Sequence, residues 1–358
     1  MKRIYNFSAG PAILPVPVLE EASRGVLEIN GSGMSILEVS HRGKDYEAIH
    51  VDARTRLLRV LGLSEDEYQV MFLGGGASLQ FAMVPMNFLG AEQVADYVNT
   101  GEWGAKAIKE ALRYGNVHIA GSSEQQQFSD IPKNLVLTPN ARYLHITTNN
   151  TIEGTEWSYL PKTEGVPLIG DVSSDIMAKN LDYSKFDLFY AGAQKNAGAA
   201  GVTIVVGKKS FLETATSNLP SMLAYKTHAK SDSMYNTPPV FSVYVVGLVL
   251  KWIEVNGGLQ AVEANNLKKA HVIYDALDSH YDVYDPAVTV KEDRSLMNIT
   301  FRLRDASREK EFLAGAEALG MDGLKGHRSV GGFRASIYNA FPIEGAEALA
   351  TYLKQFAV

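Results

Sequence analysis

The stretch that decides the fold is Phe189-Tyr190-Ala191-Gly192-Ala193-Gln194-Lys195-Asn196-Ala197-Gly198, in which a lysine stands among small residues. Residues 186–191 are predicted to form a short buried strand that ends just before this lysine. Small neighbours allow the backbone to approach a flat ligand closely. Lys195 is therefore a candidate for Schiff-base formation, because desolvation at the end of an apolar strand lowers the pKa of an amine and frees it to attack a carbonyl.

A second predicted strand, formed by Pro167-Leu168-Ile169-Gly170, leads directly into Asp171. A lysine and an aspartate at strand ends are the pair that an enzyme using pyridoxal 5'-phosphate (PLP) needs. The lysine forms a Schiff base with the cofactor, and the aspartate keeps the pyridine nitrogen protonated. A solvated loop lysine is the alternative for Lys195 taken alone, and Asp171 makes that alternative weaker.

The composition excludes several classes of protein. The chain has 358 residues, of which 46% are hydrophobic and 21% charged, with a net charge of −6 and no cysteine. The negative charge argues against nucleic acid as a partner, and the lack of cysteine excludes disulfides and thiolate metal sites. The N-terminal residues lack the apolar core of a signal peptide, and the most apolar run, Val240–Leu250, is too short to span a bilayer. We expect a cytoplasmic protein that binds neither membrane nor metal.

The hydrophobic pattern predicts an α/β fold with a mainly parallel seven-stranded sheet. Several apolar runs show no alternation, which is typical of strands covered on both faces. The predicted strands are Tyr68–Leu73, Val94–Val98, Val117–Ala120, Tyr143–Thr147, Leu168–Gly170, Leu188–Tyr190 and Val202–Val206. We expect a large domain over residues 16–256 and a small α+β domain made of residues 1–15 and 257–358.

A glycine-rich loop, Gly74-Gly75-Gly76-Ala77-Ser78, stands between a predicted strand and the predicted helix Leu79–Phe88. Backbone N–H groups at a helix N-terminus bind anions, so we interpret this loop as a phosphate site. A tight turn that needs glycines only for its conformation is the alternative. Trp103 and the polar run Asn149-Asn150-Thr151 follow other predicted strands, and we expect them at the same edge of the sheet.

Two His-Arg pairs lie in glycine-flanked loops, namely His41-Arg42 and His327-Arg328, and Arg334 follows the second pair. Arginine forks bind carboxylate or phosphate groups in a bidentate manner, and a histidine adds a further donor. Three such arginines are suited to a substrate with two anionic ends, although any one of them alone is more often a solvated surface charge.

Taken together, these motifs resemble the phosphoserine aminotransferase family, which belongs to class V of the fold-type-I PLP enzymes. The resemblance covers the whole length of the chain. The segments that carry it are Asn6–Pro11, Met34–Arg42, Gly74–Phe81, Leu144–Thr155, Asp171–Asp175, Tyr190–Asn196, His228–Pro239 and Gly326–Asn339. Ala77 is a departure, since some members of the family carry an arginine there.

The resemblance implies a role for each matching residue. Lys195 and Asp171 would be the catalytic pair, with Lys195 also moving the proton of the substrate Cα. The cofactor-binding residues would be Gly76, Ala77, Ser78, Trp103, Thr151, Asp171, Gln194, Lys195, Asn236 and Thr237. The substrate-binding residues would be Ser8, His41, Arg42, His327, Arg328 and Arg334, with Arg334 on the α-carboxylate. Asn236 and Thr237 would reach the cofactor phosphate of a partner subunit, which implies a homodimer with shared sites.

The implied reaction is the reversible transamination of 3-phosphohydroxypyruvate with L-glutamate, which gives O-phospho-L-serine and 2-oxoglutarate in serine biosynthesis. Family members can also convert 3-hydroxy-2-oxo-4-phosphonooxybutanoate to phosphohydroxythreonine in vitamin B6 biosynthesis. A related class V aminotransferase of the alanine/serine–glyoxylate type is the alternative, and the two His-Arg pairs argue against it. A desulfurase would need a cysteine, and a non-catalytic α/β binding protein would leave Lys195 without a role.

Overall fold

The computed structural model describes residues 3–358, so Met1 and Lys2 of the predicted N-terminal segment lie outside the described residues. Twelve strands are numbered here in chain order within that range. They are β1 (Tyr5–Asn6), β2 (Tyr68–Leu73), β3 (Val94–Asn99), β4 (Asn116–Ser122), β5 (Leu144–Thr147), β6 (Leu168–Asp171), β7 (Leu188–Gly192), β8 (Thr203–Lys208), β9 (Tyr284–Pro286), β10 (Asn298–Leu303), β11 (Met321–Asp322) and β12 (Phe333–Ser336).

Ten helices are described, and those between β2 and β8 alternate with strands of the large sheet. They are α1 (Val16–Leu27), α2 (Lys44–Leu61), α3 (Gly76–Phe88), α4 (Glu102–Ala111), α5 (Lys209–Leu212), α6 (Tyr225–Lys230), α7 (Val240–Val255), α8 (Gly258–Asp278), α9 (Glu309–Ala318) and α10 (Ile343–Phe356). Short 3-10 turns lie at Glu124–Gln126, Tyr183–Lys185, Ser221–Leu223, Lys291–Asp293 and Ala306–Arg308.

Seven of the strands form one sheet in the order β2-β8-β7-β6-β5-β3-β4. Strand β8 runs antiparallel to both of its neighbours, and the remaining pairs are parallel. The predicted mainly parallel α/β sheet is confirmed. Two separate apolar clusters cover its two faces, which explains why its strands are apolar throughout rather than alternating. The carboxyl ends of β5, β6 and β7 consequently meet at one edge.

The C-terminal part has its own apolar core beneath α8, α9 and α10. Strands β9, β10 and β12 form an antiparallel sheet in the order β12-β10-β9, and β1 pairs in parallel with β11. The N-terminal segment therefore packs against the C-terminal third of the chain. The division of the chain into residues 16–256 and the remainder stays a prediction.

The clearest difference from the predicted elements is the start of α3. The pattern of apolar residues places it at Leu79, whereas the helix begins at Gly76. Gly75 and Gly76 have φ angles of 87° and 65°, a left-handed conformation that glycine adopts without strain. The sharp turn that they make allows the helix to begin immediately after the glycines, so Ala77 and Ser78 lie in its first turn.

Among residues 3–358, no single helix is long and apolar enough to cross a membrane, and α7 and α8 meet the length and composition criteria only as a pair bent by 85°.

Candidate active site

A cavity of about 130 Å³ opens at the edge of the large sheet where β5 and β6 end. Eight of the predicted cofactor-binding residues line it together. They are Gly76, Ala77, Ser78, Trp103, Thr151, Asp171, Gln194 and Lys195. These residues come from five separate segments of the chain, and it is the parallel sheet that brings them to one place.

Lys195 is half-buried at this cavity, and its Nζ donates a hydrogen bond to Oγ1 of Thr151 at 2.6 Å. Burial lowers the pKa of the Lys195 amine to about 8, and the positive charge of Arg334 acts in the same direction. The carboxylate of Asp171 opposes this shift. A substantial fraction of the amine is therefore neutral near pH 8 and able to attack a carbonyl.

Asp171 is the last residue of β6 and only 4% exposed. Its Oδ1 accepts a hydrogen bond from the backbone N–H of Ser173 at 3.0 Å. Burial raises the pKa of the Asp171 carboxyl, while Ser173 and then Lys195 oppose the shift. Among the described residues, no cation lies within 4 Å of it, so a cationic ring nitrogen held here would supply the missing counter-charge.

Another part of the cavity wall is suited to an anion. Helix α3 begins there at Gly76, and a side chain added to Gly76 would meet no atom within 4 Å. The indole of Trp103 forms a wall, with its ring centroid 5.9 Å from Nζ of Lys195. Nε1 of Trp103 and Oγ1 of Thr147 are both buried without a hydrogen-bond partner in the part of the chain that is described. The residues present thus fit a flat ligand that carries a phosphate, a carbonyl and a basic nitrogen.

A second cavity, of about 280 Å³, is lined by Arg334 and His327. Arg334 lies on β12, and its Nη1 donates to the carbonyl oxygen of Thr151 at 3.2 Å. Thr151 therefore contacts both side chains: its carbonyl oxygen accepts from Arg334, and its hydroxyl accepts from Nζ of Lys195. Arg328 follows His327 in the same loop and is exposed.

The structure does not bring every predicted residue to these cavities. In the described chain, neither cavity is lined by Ser8, His41, Arg42, Arg328, Asn236 or Thr237. The segment that carries Ser8 lies nearby, because a Cβ at Gly10, two residues further on, would lie 3.5 Å from Cγ of Lys195.

His41-Arg42 and Asn236-Thr237 belong to two segments that share a small apolar core. In this core, Ile36 and Val39 pack with Met234 and Val240. Because of this core, His41 and Arg42 lie on the same side of the chain as Asn236 and Thr237.

Four cavity residues are not predicted from the sequence as site residues, namely Phe81, Thr147, Ser173 and Ser174. Asn149, which is expected at this edge of the sheet, also lines the cavity. Thr147 ends β5, and Ser173 follows β6 by two residues. Their position at the carboxyl ends of predicted strands is the only signal in the sequence that could have found them.

A buried network of polar side chains supports the loop that carries Lys195. Oδ1 of Asn196, next to Lys195, accepts a hydrogen bond from the backbone N–H of Asn339 at 3.0 Å. The side chain of Asn339 donates to the carbonyl oxygen of Met177 and accepts from Asn266. Lys269 donates to the carbonyl oxygen of Tyr338 at 2.7 Å. The network connects the lysine loop with the chain that continues β12, and so relates the position of Lys195 to that of Arg334.

Comparison with known proteins identifies the class. The family described as aminotransferase class-V matches residues 4–349. The curated phosphoserine aminotransferase of Desulfosudis oleivorans is 55% identical over 357 residues, which cover 99% of this chain and 98% of that protein. The chain therefore belongs to the class-V aminotransferases and, within them, to the phosphoserine aminotransferase family.

Solved structures agree with this assignment. The phosphoserine aminotransferase from Bacillus circulans subsp. alkalophilus superposes with a TM-score of 0.97 at 51% identity, covering 100% of this chain and 99% of that one. The PLP-bound enzyme from Trichomonas vaginalis superposes with a TM-score of 0.91 at 36% identity, covering 98% of this chain and 100% of that one. The fold is that of the fold-type-I aminotransferases.

We expect Lys195 to titrate well below an ordinary lysine. In competitive acetylation of the cofactor-free protein, labelling of Lys195 increases as pH rises through about 8, because the neutral amine forms there. An exposed lysine such as Lys44, measured in the same samples, serves as the reference. A midpoint near about 10.4, the value of a lysine in water, would contradict the effect of burial.

We expect Asn339→Ala to lower the free energy of unfolding by about 1–3 kcal/mol, because it leaves buried polar groups of Asn266 and Met177 unpaired. Urea denaturation measures the difference. Thr351→Ala is the control, since its hydroxyl donates to the carbonyl of Glu347 at the exposed surface of α10. Equal effects of the two substitutions would show that the network contributes no special stability.

Proposed function

We propose that this aminotransferase catalyses the reversible transamination of 3-phosphohydroxypyruvate with L-glutamate, giving O-phospho-L-serine and 2-oxoglutarate. The observation that carries the proposal is the joint position of Lys195, Asp171 and the start of α3 around one cavity, beside Arg334. The high identity to curated phosphoserine aminotransferases over the full length supports the same substrate pair.

The cofactor is PLP, which supplies a carbonyl for amines and a cationic ring that accepts the electron pair left when Cα loses its proton. Lys195 would hold it covalently, Asp171 would pair with its ring nitrogen, and Trp103 would lie against its face. Thr151 would contact it near Lys195. The phosphate would be bound by Gly76, Ala77, Ser78 and Gln194.

The residues of the chain then account for the proton transfer. When the substrate amine displaces Lys195, Nζ becomes a free amine in a desolvated site and can accept the proton of the substrate Cα. The hydroxyl of Thr151, 2.6 Å from Nζ, orients the amine. Arg334 would bind the α-carboxylate and so fix the substrate for this transfer.

A substrate with a second anionic group is favoured by His327, which lines the same cavity as Arg334, and by Arg328, the exposed residue that follows it. An alanine- or serine–glyoxylate aminotransferase has no use for that second cation cluster, so we rank this alternative lower. We propose roles in serine biosynthesis and, through phosphohydroxythreonine, in vitamin B6 biosynthesis. A cytoplasmic location and the division into a large and a small domain are part of the same proposal.

We further propose a homodimer in which Asn236 and Thr237 contribute to the partner's cofactor site. Exposed apolar side chains in the segments around His41 and Asn236 support the proposal. Leu37 is 64% exposed, and Met222 and Tyr235 are each 47% exposed. Such a group of exposed apolar residues is typical of a protein interface. Since His41 and Arg42 lie on the same side, we propose that they too act on the partner's substrate.

The first test is an absorbance spectrum of the PLP-loaded protein before and after addition of O-phospho-L-serine without a keto acid. We expect the yellow band of the lysine-bound cofactor to disappear and the pyridoxamine band to appear. Lys195→Ala is the control, which binds the cofactor without the covalent bond and gives no turnover. A band that alanine shifts and phosphoserine does not would contradict the proposed substrate.

Substitution of the arginines is expected to separate two functions. Arg334→Gln weakens all amino-acid substrates, by roughly 10- to 100-fold, because it removes charged hydrogen bonds to the shared α-carboxylate. Arg42→Ala weakens phosphoserine and glutamate and spares alanine, which has no second anionic group. Steady-state KM values for the three amines measure this difference, and equal losses for all three would contradict the division.

Mixing of subunits tests the shared site. Lys195→Ala and Arg42→Ala proteins, each defective alone, are unfolded together and refolded. If Arg42 serves the partner's site, random pairing restores about a quarter of the wild-type sites, because half of the dimers are mixed and each has one intact site. No recovery in the mixture, with dimers confirmed by light scattering, would show that Arg42 acts within its own subunit.

A further inference from the structure

A buried carboxylate lies beside the proposed substrate arginine. Glu153 follows Thr151 by two residues and is 9% exposed. Its backbone is fixed by Thr300, whose Oγ1 donates to the carbonyl oxygen of Glu153 at 2.7 Å. Its side chain lines the same cavity as Arg334. Acidic side chains are rarely buried without a partner, so the position of this one calls for an explanation.

Only one end of the carboxylate has a partner. Oε1 accepts a hydrogen bond from the backbone N–H of Glu102, the first residue of α4, at 2.8 Å. Oε2 is buried and has no hydrogen-bond partner in residues 3–358. Gly101 allows this arrangement, because a Cβ at that position would lie 2.4 Å from Cδ of Glu153. The carboxylate is thus held tightly against the start of α4, with one oxygen unpaired.

The guanidinium of Arg334 is also incompletely paired. It donates from Nη1 to Thr151, while its Nε is buried without a partner in the described chain. No described ion pair joins Arg334 to Glu153 within 4.0 Å. Burial lowers the pKa of Arg334, and Tyr338 and then Glu153 oppose that change. Burial raises the pKa of the Glu153 carboxyl, while the N–H of Glu102 and the charge of Arg334 favour its ionised form. The two charges therefore influence each other.

We propose that Glu153 is a positioning residue that sets the affinity of Arg334 for carboxylates, by supplying a fixed negative charge next to the guanidinium. While the site holds no substrate, this charge partly neutralises Arg334. When a substrate carboxylate reaches Arg334, it approaches a second buried negative charge, and the repulsion weakens its binding. The inference rests on the proposed role of Arg334 in binding the α-carboxylate.

Moderate affinity has a use in this reaction. In a transamination, substrates and products all carry the same α-carboxylate, so a very strong anchor would hold products as firmly as substrates. A fixed charge that weakens the binding of every α-carboxylate equally makes it easier to exchange product for the next substrate, without favouring either of them.

Glu153→Gln tests the inference, because it keeps the shape of the side chain and its acceptor for the N–H of Glu102 while removing the charge. The PLP-loaded variant is titrated spectroscopically with O-phospho-L-serine and with O-phosphoethanolamine, which lacks the α-carboxylate. We expect phosphoserine to bind the Glu153→Gln variant about tenfold more tightly than it binds the wild type, a change of about 1.4 kcal/mol in binding free energy. Binding of O-phosphoethanolamine is expected to change by less than about twofold, because it has no carboxylate for Glu153 to repel.

Glu102→Gln is the matched control. It removes the same charge from the first residue of α4, but its side chain is 41% exposed and pairs with Lys106 at the surface. Solvent screens such a charge, so we expect no change in phosphoserine binding. Arg334→Gln separates this inference from the proposed function. If Arg334→Gln does not weaken phosphoserine, the carboxylate role of Arg334 is wrong.

If Arg334→Gln weakens phosphoserine and Glu153→Gln leaves it unchanged or weaker, the role of Glu153 alone is wrong. Equal tightening of O-phosphoethanolamine would also overturn it, because the effect would not involve the carboxylate. A Glu153→Gln protein that no longer takes up PLP would show that the residue holds the start of α4 and does not act on Arg334.

Discussion

The removal of Asp171 and Lys195 from water is the constraint on which the rest of the site depends. The two residues end or follow adjacent parallel strands, with Asp171 in register with Tyr190. Burial acts on them in opposite senses, raising the pKa of the carboxyl and lowering that of the amine. Each group alone is therefore driven toward its neutral form. A ligand that brings a carbonyl to the amine and a positive ring nitrogen to the carboxylate would stabilise both, which supports the place that we propose for the family's cofactor.

Polar groups in such a site must be paired, and the chain does this with asparagine and serine. Asn149, for example, donates to Ser174 and to Asn298 at 2.8 Å each, and accepts from Ser295. Asn298 belongs to β10, so the hydrogen bonds cross from the large sheet to the C-terminal sheet. Such a network loses its benefit when any member is left unpaired. Asn196, next to Lys195, donates to the carbonyl oxygen of Ser174 at 3.2 Å, and β10 pairs with β12. The network therefore also connects the lysine loop to the sheet that bears Arg334.

The sequence predicts the large sheet well, because its buried strands are short apolar runs bounded by turn residues. Lys195 and Asp171 can be identified too, because each is a charged residue at the end of an apolar run. The glycine loop can be identified because three consecutive glycines stand between a strand and a helix. Thr147 and Ser173 cannot, because a threonine or serine after a strand is ordinary, and only the register of neighbouring strands places it at the cavity. Glu153 is hidden for the same reason. Its burial follows from the approach of α4 and β10, two segments far from it along the chain.

Within one chain, the predicted site residues lie in two places. The cavity holds groups suited to the cofactor, whereas His41, Arg42, Asn236 and Thr237 gather on another side around a small core of Ile36 and Met234. Cationic and polar donors have no evident use at an exposed surface that is rich in apolar side chains. In a symmetric dimer, one such surface meets its own copy, and any group that one subunit gives to its partner is returned by the partner. The separation of the two groups within the chain thus argues for the shared sites that we propose, because His41 and Arg42 could then add to the cations that Arg334 and His327 already offer a substrate with two anionic ends.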